Sequence, residues 1–233
     1  MTVAIIADGE FPKTEYPQYL INNADAVVCC DGALVKYMQF THGKVPDAIV
    51  GDMDTLPEEL KAEYKDRIVK YDEQDFDDLA KAVRYAVEKY GAGIAKDGTQ
   101  KHDMQANNGQ EYVQYLNTIH IFGASGGAED FTIGNYGLLM HFCEEYPEIS
   151  FDTVSDFTTA FPATNDIEFD CGCGRTVSIF SPDPTLRIHS TGLEWPLDNV
   201  CFDNWWKGIR NKANDDRVTL KFNHPSKALV ILD

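Results

Sequence analysis

Apolar positions in the first half of the chain fall into short runs, each closed by Asp or Gly. Val3–Ala7 stops at Asp8-Gly9, Ala26–Cys30 at Asp31-Gly32, and Asp47–Val50 at Gly51-Asp52. Arg67–Tyr71 and Thr118–Phe122, the latter closed by Gly123, are two further strand candidates. Helical spacing separates them. It predicts helices over Ala33–Phe40, over Asp77–Tyr90 (apolar at Leu79, Val83, Ala86 and Val87) and from about Asp130 to Glu145. Strands alternating with helices imply α/β architecture, a mostly parallel sheet covered by helices on both faces.

Beyond Pro147 the helical period disappears. Ile149–Val154, Phe157–Phe161, Asp166–Phe169, Thr176–Phe180, Thr185–His189, Arg217–Phe222 and Ala228–Leu232 are short, β-branched or aromatic, and divided by Gly, Pro, Asp and Asn. This pattern predicts a smaller all-β domain of sandwich type. The expected organisation is an α/β domain over 1–148 and a β-sandwich domain over 149–233. Gly91–Asn117 is polar and reads as a surface excursion, with a short helix near Gln110–Tyr115. No internal repeat is visible.

Composition narrows the partners. Thirty-eight acidic against 20 basic residues give a net charge of −18, which repels nucleic acid and anionic membrane surfaces. A phosphorylated substrate would also be repelled unless a divalent cation neutralised it. No segment approaches the ~18 consecutive apolar residues of a membrane helix. The start lacks the basic region of a signal peptide, and the six cysteines show no metal-finger spacing. The expectation is a cytoplasmic protein with reduced thiols.

Asp8, Asp31, Asp52 with Asp54, Asp75 with Asp78, and Asp130 each follow a strand candidate. In an open parallel sheet these positions share the carboxyl edge, where such folds bind ligands. Turn and cap chemistry explains any one of them. It does not require acid at every strand end. Asp52 and Asp54 can offer oxygens to one hard cation, and Asp78 a third from a helix start, a donor set suited to Mg²⁺ on nucleotide phosphates.

Gly123-Ala-Ser-Gly-Gly-Ala-Glu-Asp130 lies between a strand and a helix. One reading is a loop whose backbone N–H groups approach a phosphate at a helix N-terminus. The other is a G-x-S-x-G nucleophile elbow with Ser125 as the nucleophile of a serine hydrolase. The hydrolase reading needs an acid and a His on later strands of the same sheet, and it leaves Asp52, Asp54 and Asp78 unexplained. The six histidines show no metal-ligand spacing. Trp195, just before Pro196, could stack on a planar or cationic ring, although composition alone favours packing. Trp205-Trp206 could serve a subunit contact.

Taken in order, Cys30-Asp-Gly-Ala33, Gly51-Asp-Met-Asp-Thr55, Asp72–Ala82, Gly123–Asn135 and Ser190-Thr-Gly-Leu-Glu-Trp195 resemble the thiamin pyrophosphokinase family. The resemblance implies an N-terminal α/β domain, a C-terminal β-sandwich, and a homodimer with composite active sites. It implies Mg²⁺-dependent transfer of pyrophosphate from ATP to thiamin, releasing AMP. Carried over by position, Asp52, Asp54 and Asp78 would be the metal carboxylates, with Asp77 added where Thr or Asn is usual. Asp31, Gly32, Gln74, Asp75, Lys81, Gly126 and Gly127 would border the nucleotide, with Lys81 as a phosphate contact. Ser190 and Trp195 would face thiamin from the partner subunit, and Asp130 would be a proton acceptor. The family's Arg in the glycine-rich segment is Ala128 here, so either Lys96, Lys101 or Arg175 would supply that charge or the loop would bind differently. A non-catalytic thiamin- or nucleotide-binding protein is the reading which that departure motivates.

Overall fold

The structure, a computed structural model, describes residues 1–73, 75–91 and 115–233. It divides into two compact units, Met1–Asn135 with Tyr146–Asp156, and Tyr136–Glu145 with Phe157–Asp233.

In the first unit β1 (Thr2–Ile6), β2 (Ala26–Cys30), β3 (Ala48–Gly51), β4 (Ile68–Lys70), β5 (Thr118–Phe122) and β6 (Ser150–Val154) form a sheet in the order β6-β5-β1-β2-β3-β4. Every described pair in it is parallel. Strands β2 and β3 are buried at every residue, as a sheet covered on both faces demands. Helices α1 (Glu15–Asn23), α2 (Ala33–Phe40), α3 (Glu58–Glu63) and α4 (Asp78–Tyr90) accompany the strands, as does the start of α5 (Glu129–Glu145), whose residues from Tyr136 on belong to the second unit. Helix α4 packs on β2 and β3 through a face that buries Leu79, Ala82, Val83 and Ala86. Among the described residues, no helix is long and apolar enough to cross a membrane.

In the second unit β7 (Thr159–Thr164), β9 (Thr176–Phe180), β11 (Asn211–Lys212) and β13 (Lys227–Leu232) lie in the order β11-β9-β13-β7. A three-stranded sheet has β12 (Arg217–Phe222) between β10 (Ile188–Thr191) and β8 (Ile167–Asp170). All described pairings here are antiparallel. One core joins them, with Val177, Ile179, Val230 and Leu232 from the first sheet against Ile188, Val218 and Leu220 from the second.

Strand β6, just past the boundary expected near Glu148, pairs in parallel with β5 and lies in the first unit. Helices α1 and α3 carried no assignment from the sequence. The strand expected over Thr185–His189 begins three residues later, at Ile188. The excursion and its short helix near Gln110–Tyr115 fall almost entirely outside the described residues, as do Lys96 and Lys101.

Candidate functional site

Strand β1 lies between β2 and β5, so the chain winds away from it in both directions. Crevices at such switch points, outside the carboxyl ends of the strands, are where open α/β sheets bind ligands. A cavity of about 390 Å³ occupies this place. Its walls include Asp8 and Gly9 after β1, Gly32 after β2, Asp77 and Asp78 at the start of α4, and the Gly123–Ala128 segment after β5.

The acids converge beside it. Single oxygens of Asp31, Asp52 and Asp78 lie within 4.8 Å of one another. Asp31 is 1% exposed. Its Oδ2 accepts a hydrogen bond from the Thr55 N–H at 3.1 Å, while its buried Oδ1 has no partner among the described residues. A buried carboxylate oxygen left unpaired is costly, so this atom marks where a positive ligand would be stabilising. Gly51 makes the convergence possible. A Cβ there would stand 2.8 Å from Asp31 Cβ and 3.1 Å from Asp78 Cγ. Between Asp52 and Asp54, Met53 is buried with φ of 68°, the left-handed region that side chains adopt only at a cost.

Electrostatics follow this crowding. The Asp52 charge is the main cause that raises the Asp54 carboxyl above the ordinary range, with burial and Asp31 adding to it. Asp78 is raised chiefly by burial, which the Lys81 ammonium at 3.1 Å partly offsets and Asp52 and Asp31 reinforce. Burial first, then the Asp78 charge, holds the Cys30 thiol well above its usual value, so it stays protonated. A cation among these carboxylates would relieve the repulsion that raises them.

Backbone contacts lace the glycine-rich loop to the end of β1. The Gly9 N–H donates to the Gly123 carbonyl and the Glu10 N–H to the Ser125 carbonyl, both at 2.8 Å. Buried Asn135 donates from Nδ2 to the Ala124 carbonyl at 2.8 Å. Lys36 binds the Asp8 carboxylate at 2.7 Å and the Gly9 carbonyl at 3.0 Å, which ties down the other lip.

The structure sorts the sequence-predicted residues. Asp52 and Asp78 come together, and the third member of their trio is Asp31, expected instead at the nucleotide. Asp77 lines the cavity, but its Oδ1 caps α4 by accepting the Ala80 N–H at 2.8 Å. Asp54 is exposed and touches the trio from outside. Lys81, expected at the phosphates, is 2% exposed and is bonded to Asp78, itself a cavity wall, at 3.1 Å. Gly32 and Gly127 line the cavity, and Gly126 takes φ of 77° in the same loop. Asp130 is exposed at the start of α5 and outside the walls, and Asp75 is exposed. Gln74 lies outside the described residues. Asp8, expected at the carboxyl edge, is a wall, and Thr55, Phe131 and Asn135 are walls that the sequence reading had not singled out.

In the second unit Trp195 is 56% exposed on a turn held from beneath. The Asn211 side chain accepts the Trp195 N–H at 3.2 Å and donates to the Trp195 carbonyl at 2.6 Å. Buried Ser190 accepts the Leu197 N–H at 2.9 Å, so its hydroxyl shapes the turn. Arg175 also belongs to this unit. Nothing about the string Asn211-Lys-Ala-Asn214 had signalled the part that Asn211 plays.

Among the described residues the hydrolase arrangement is absent. Among the described residues, the non-glycine positions with positive φ are His42, Met53, Asn165 and Arg210, so Ser125 lacks the strained geometry of an elbow. No histidine is among the cavity walls.

Comparison with known proteins adds an independent finding. The family model described as "Thiamin pyrophosphokinase, catalytic domain" matches residues 17–151, and "Thiamin pyrophosphokinase, substrate-binding domain" matches residues 159–230. A search of curated proteins returned no match. Among solved structures, thiamin pyrophosphokinase from Candida albicans is similar with a TM-score of 0.77 at 17% identity, covering 99% of this chain and 89% of that one. The yeast enzyme gives 0.74 at 17% identity, with coverage of 100% and 86%. Thiamine pyrophosphokinase from Bacillus subtilis gives 0.70 at 19% identity, with coverage of 99% and 98%. At such identities the structural likeness establishes a shared fold over nearly the whole chain.

Proposed function

The chain belongs to the thiamin pyrophosphokinase family, and from that membership and the carboxylate geometry we propose that it transfers the terminal pyrophosphoryl group of ATP to the hydroxyethyl oxygen of thiamin, with Mg²⁺. The observation that carries this reading is the trio of Asp31, Asp52 and Asp78 beside the cavity of the glycine-rich loop. The donors suit the ion: three hard oxygens, one of them buried without a partner. Asp31, Asp52 and Asp78 would hold Mg²⁺, which would supply charge neutralisation at the phosphates.

The chain's own groups do the rest. Small residues at Gly123–Ala128 leave room for phosphate oxygens to approach backbone N–H groups at the start of α5. The thiamin hydroxyl oxygen bonds to the β-phosphorus of ATP and its proton passes to solvent, while the bridge to the α-phosphate breaks, its electron pair stays on the α-phosphate oxygen, and AMP departs. Such a transfer depends mainly on positioning and electrostatics. The placement of Asp130 lends no support to its role as proton acceptor. Incubation with ATP, thiamin and Mg²⁺ tests the reading by product identity. Thiamin diphosphate and AMP should form in equal amounts, whereas thiamin monophosphate with ADP would overturn it.

Exposed Trp195, Trp205, Trp206 and Ile209 support a homodimer in which Trp195 faces thiamin bound to the partner subunit. The six free cysteines support a reducing, cytoplasmic setting. Two expected results follow. Asn211→Ala leaves the Trp195 peptide without its two hydrogen bonds, worth about 1–3 kcal/mol. Steady-state kinetics should show the KM for thiamin rising about tenfold while kcat changes little. Ser125→Ala should keep AMP formation within about tenfold, or ~1.4 kcal/mol, in the same assay. Loss of all activity in that variant would restore the hydrolase reading.

A further inference from the structure

Lys81 sits one turn after Asp78 on α4, where an ammonium group is out of place. It is 2% exposed, and its Nζ lies 3.1 Å from Asp78 Oδ1. Burying an ammonium is costly unless it is paired, so a role in solution chemistry does not explain its position. What the structure shows its ammonium bound to is Asp78, away from solvent. The charge count explains the position. Within the trio itself, leaving aside exposed Asp54 at its edge, three carboxylates at −1 and one ammonium at +1 sum to −2, the charge that one divalent cation cancels.

We infer that Lys81 is a built-in counter-ion that sets the charge of the aspartate trio to match a dication. The inference rests on the metal reading of this site. With no metal bound, the ammonium offsets part of the repulsion among Asp31, Asp52 and Asp78 and keeps the trio folded. With metal bound, the same charge opposes the incoming cation, so Lys81 limits affinity for free Mg²⁺ and disfavours trivalent ions. Lys81 is thus a positioning and charge-tuning residue. It touches neither substrate.

The test is titration calorimetry on the full chain, stripped of metal and without ATP, using MgCl₂ and then LaCl₃. Lys81→Met should bind Mg²⁺ about tenfold more tightly than the parent and La³⁺ by a still larger factor. Its melting temperature without metal should fall, and Mg²⁺ should restore it. Lys81→Arg keeps the charge and should keep the parent's affinity. Unchanged Mg²⁺ affinity in Lys81→Met, with a raised KM for ATP, would overturn the inference and make Lys81 a phosphate ligand. Should Lys81→Met not fold, the double variant Asp78→Asn with Lys81→Met decides, because it returns the count to −2. Folding of the double variant supports the counter-ion; failure of both variants overturns it. Binding is measured without substrate, so loss of this inference leaves the proposed reaction standing, and the converse holds.

Discussion

Asp52→Asn lowers kcat for AMP formation by about three orders of magnitude or more, with the fold intact. Removing one carboxylate from the trio takes a charged ligand from a hard cation, and the charge stabilisation such an ion gives a transition state is worth several kcal/mol. Each ~1.4 kcal/mol is tenfold in rate. The fold should survive because the substitution also removes repulsion. Asp52 is a principal source of the charge that raises Asp54, and it adds to the shift at Asp78. Thermal unfolding without metal should therefore show Asp52→Asn at least as stable as the parent. Asp77→Asn is the matched control. Its carboxylate caps α4, and Asn caps a helix about as well as Asp, so kcat should stay within about tenfold. Equal losses in both variants would return Asp77 to the ligand set.

Gly9→Ala destabilises the first unit by about 3 kcal/mol or more and removes activity with it. A Cβ at this position would lie 2.3 Å from the Gly123 carbonyl oxygen and 2.4 Å from that of Ser125. Both atoms are backbone, so no side-chain rotation relieves the clash. Separating the loops would also break the hydrogen bonds from Gly9 and Glu10 that join β1 to the glycine-rich segment. In a protein of this size the melting temperature should fall by about 10 °C. Gly137→Ala makes the contrast, since a Cβ there meets nothing within 4 Å and the residue lies inside α5. It should raise stability by roughly 0.5–1 kcal/mol.

The parallel half was legible because its signals are local. Ala26–Cys30 and Thr118–Phe122 match β2 and β5 to the residue, and the acids that close such runs do gather at one edge. Strand β6 was not legible as part of this sheet. Ser150–Val154 alternates exposure as an antiparallel strand would, and only pairing with distant β5 assigns it. Helix α1 was hidden by Pro17 near its start and by outward-facing Tyr16 and Tyr19, which blur the apolar stripe.

At the site the limit was one residue of helix phase. Asp77 and Asp78 are adjacent, and either could cap or bind. The helix begins at Asp78, which leaves Asp77 as the cap. Asp31 was expected to border the nucleotide, and only its burial and unpaired oxygen place it in the trio. Lys81 was carried over as a phosphate contact by position in the family resemblance, which carries no information on its burial.

The central claim is that the aspartate trio holds a divalent cation against the phosphates of ATP for transfer to thiamin. AMP release from ATP, measured with thiamin and Mg²⁺ present together and with each withheld, tests it most directly. The account predicts AMP only when both are present, at a rate set by Mg²⁺. AMP formed equally well without Mg²⁺, or without thiamin, would contradict it.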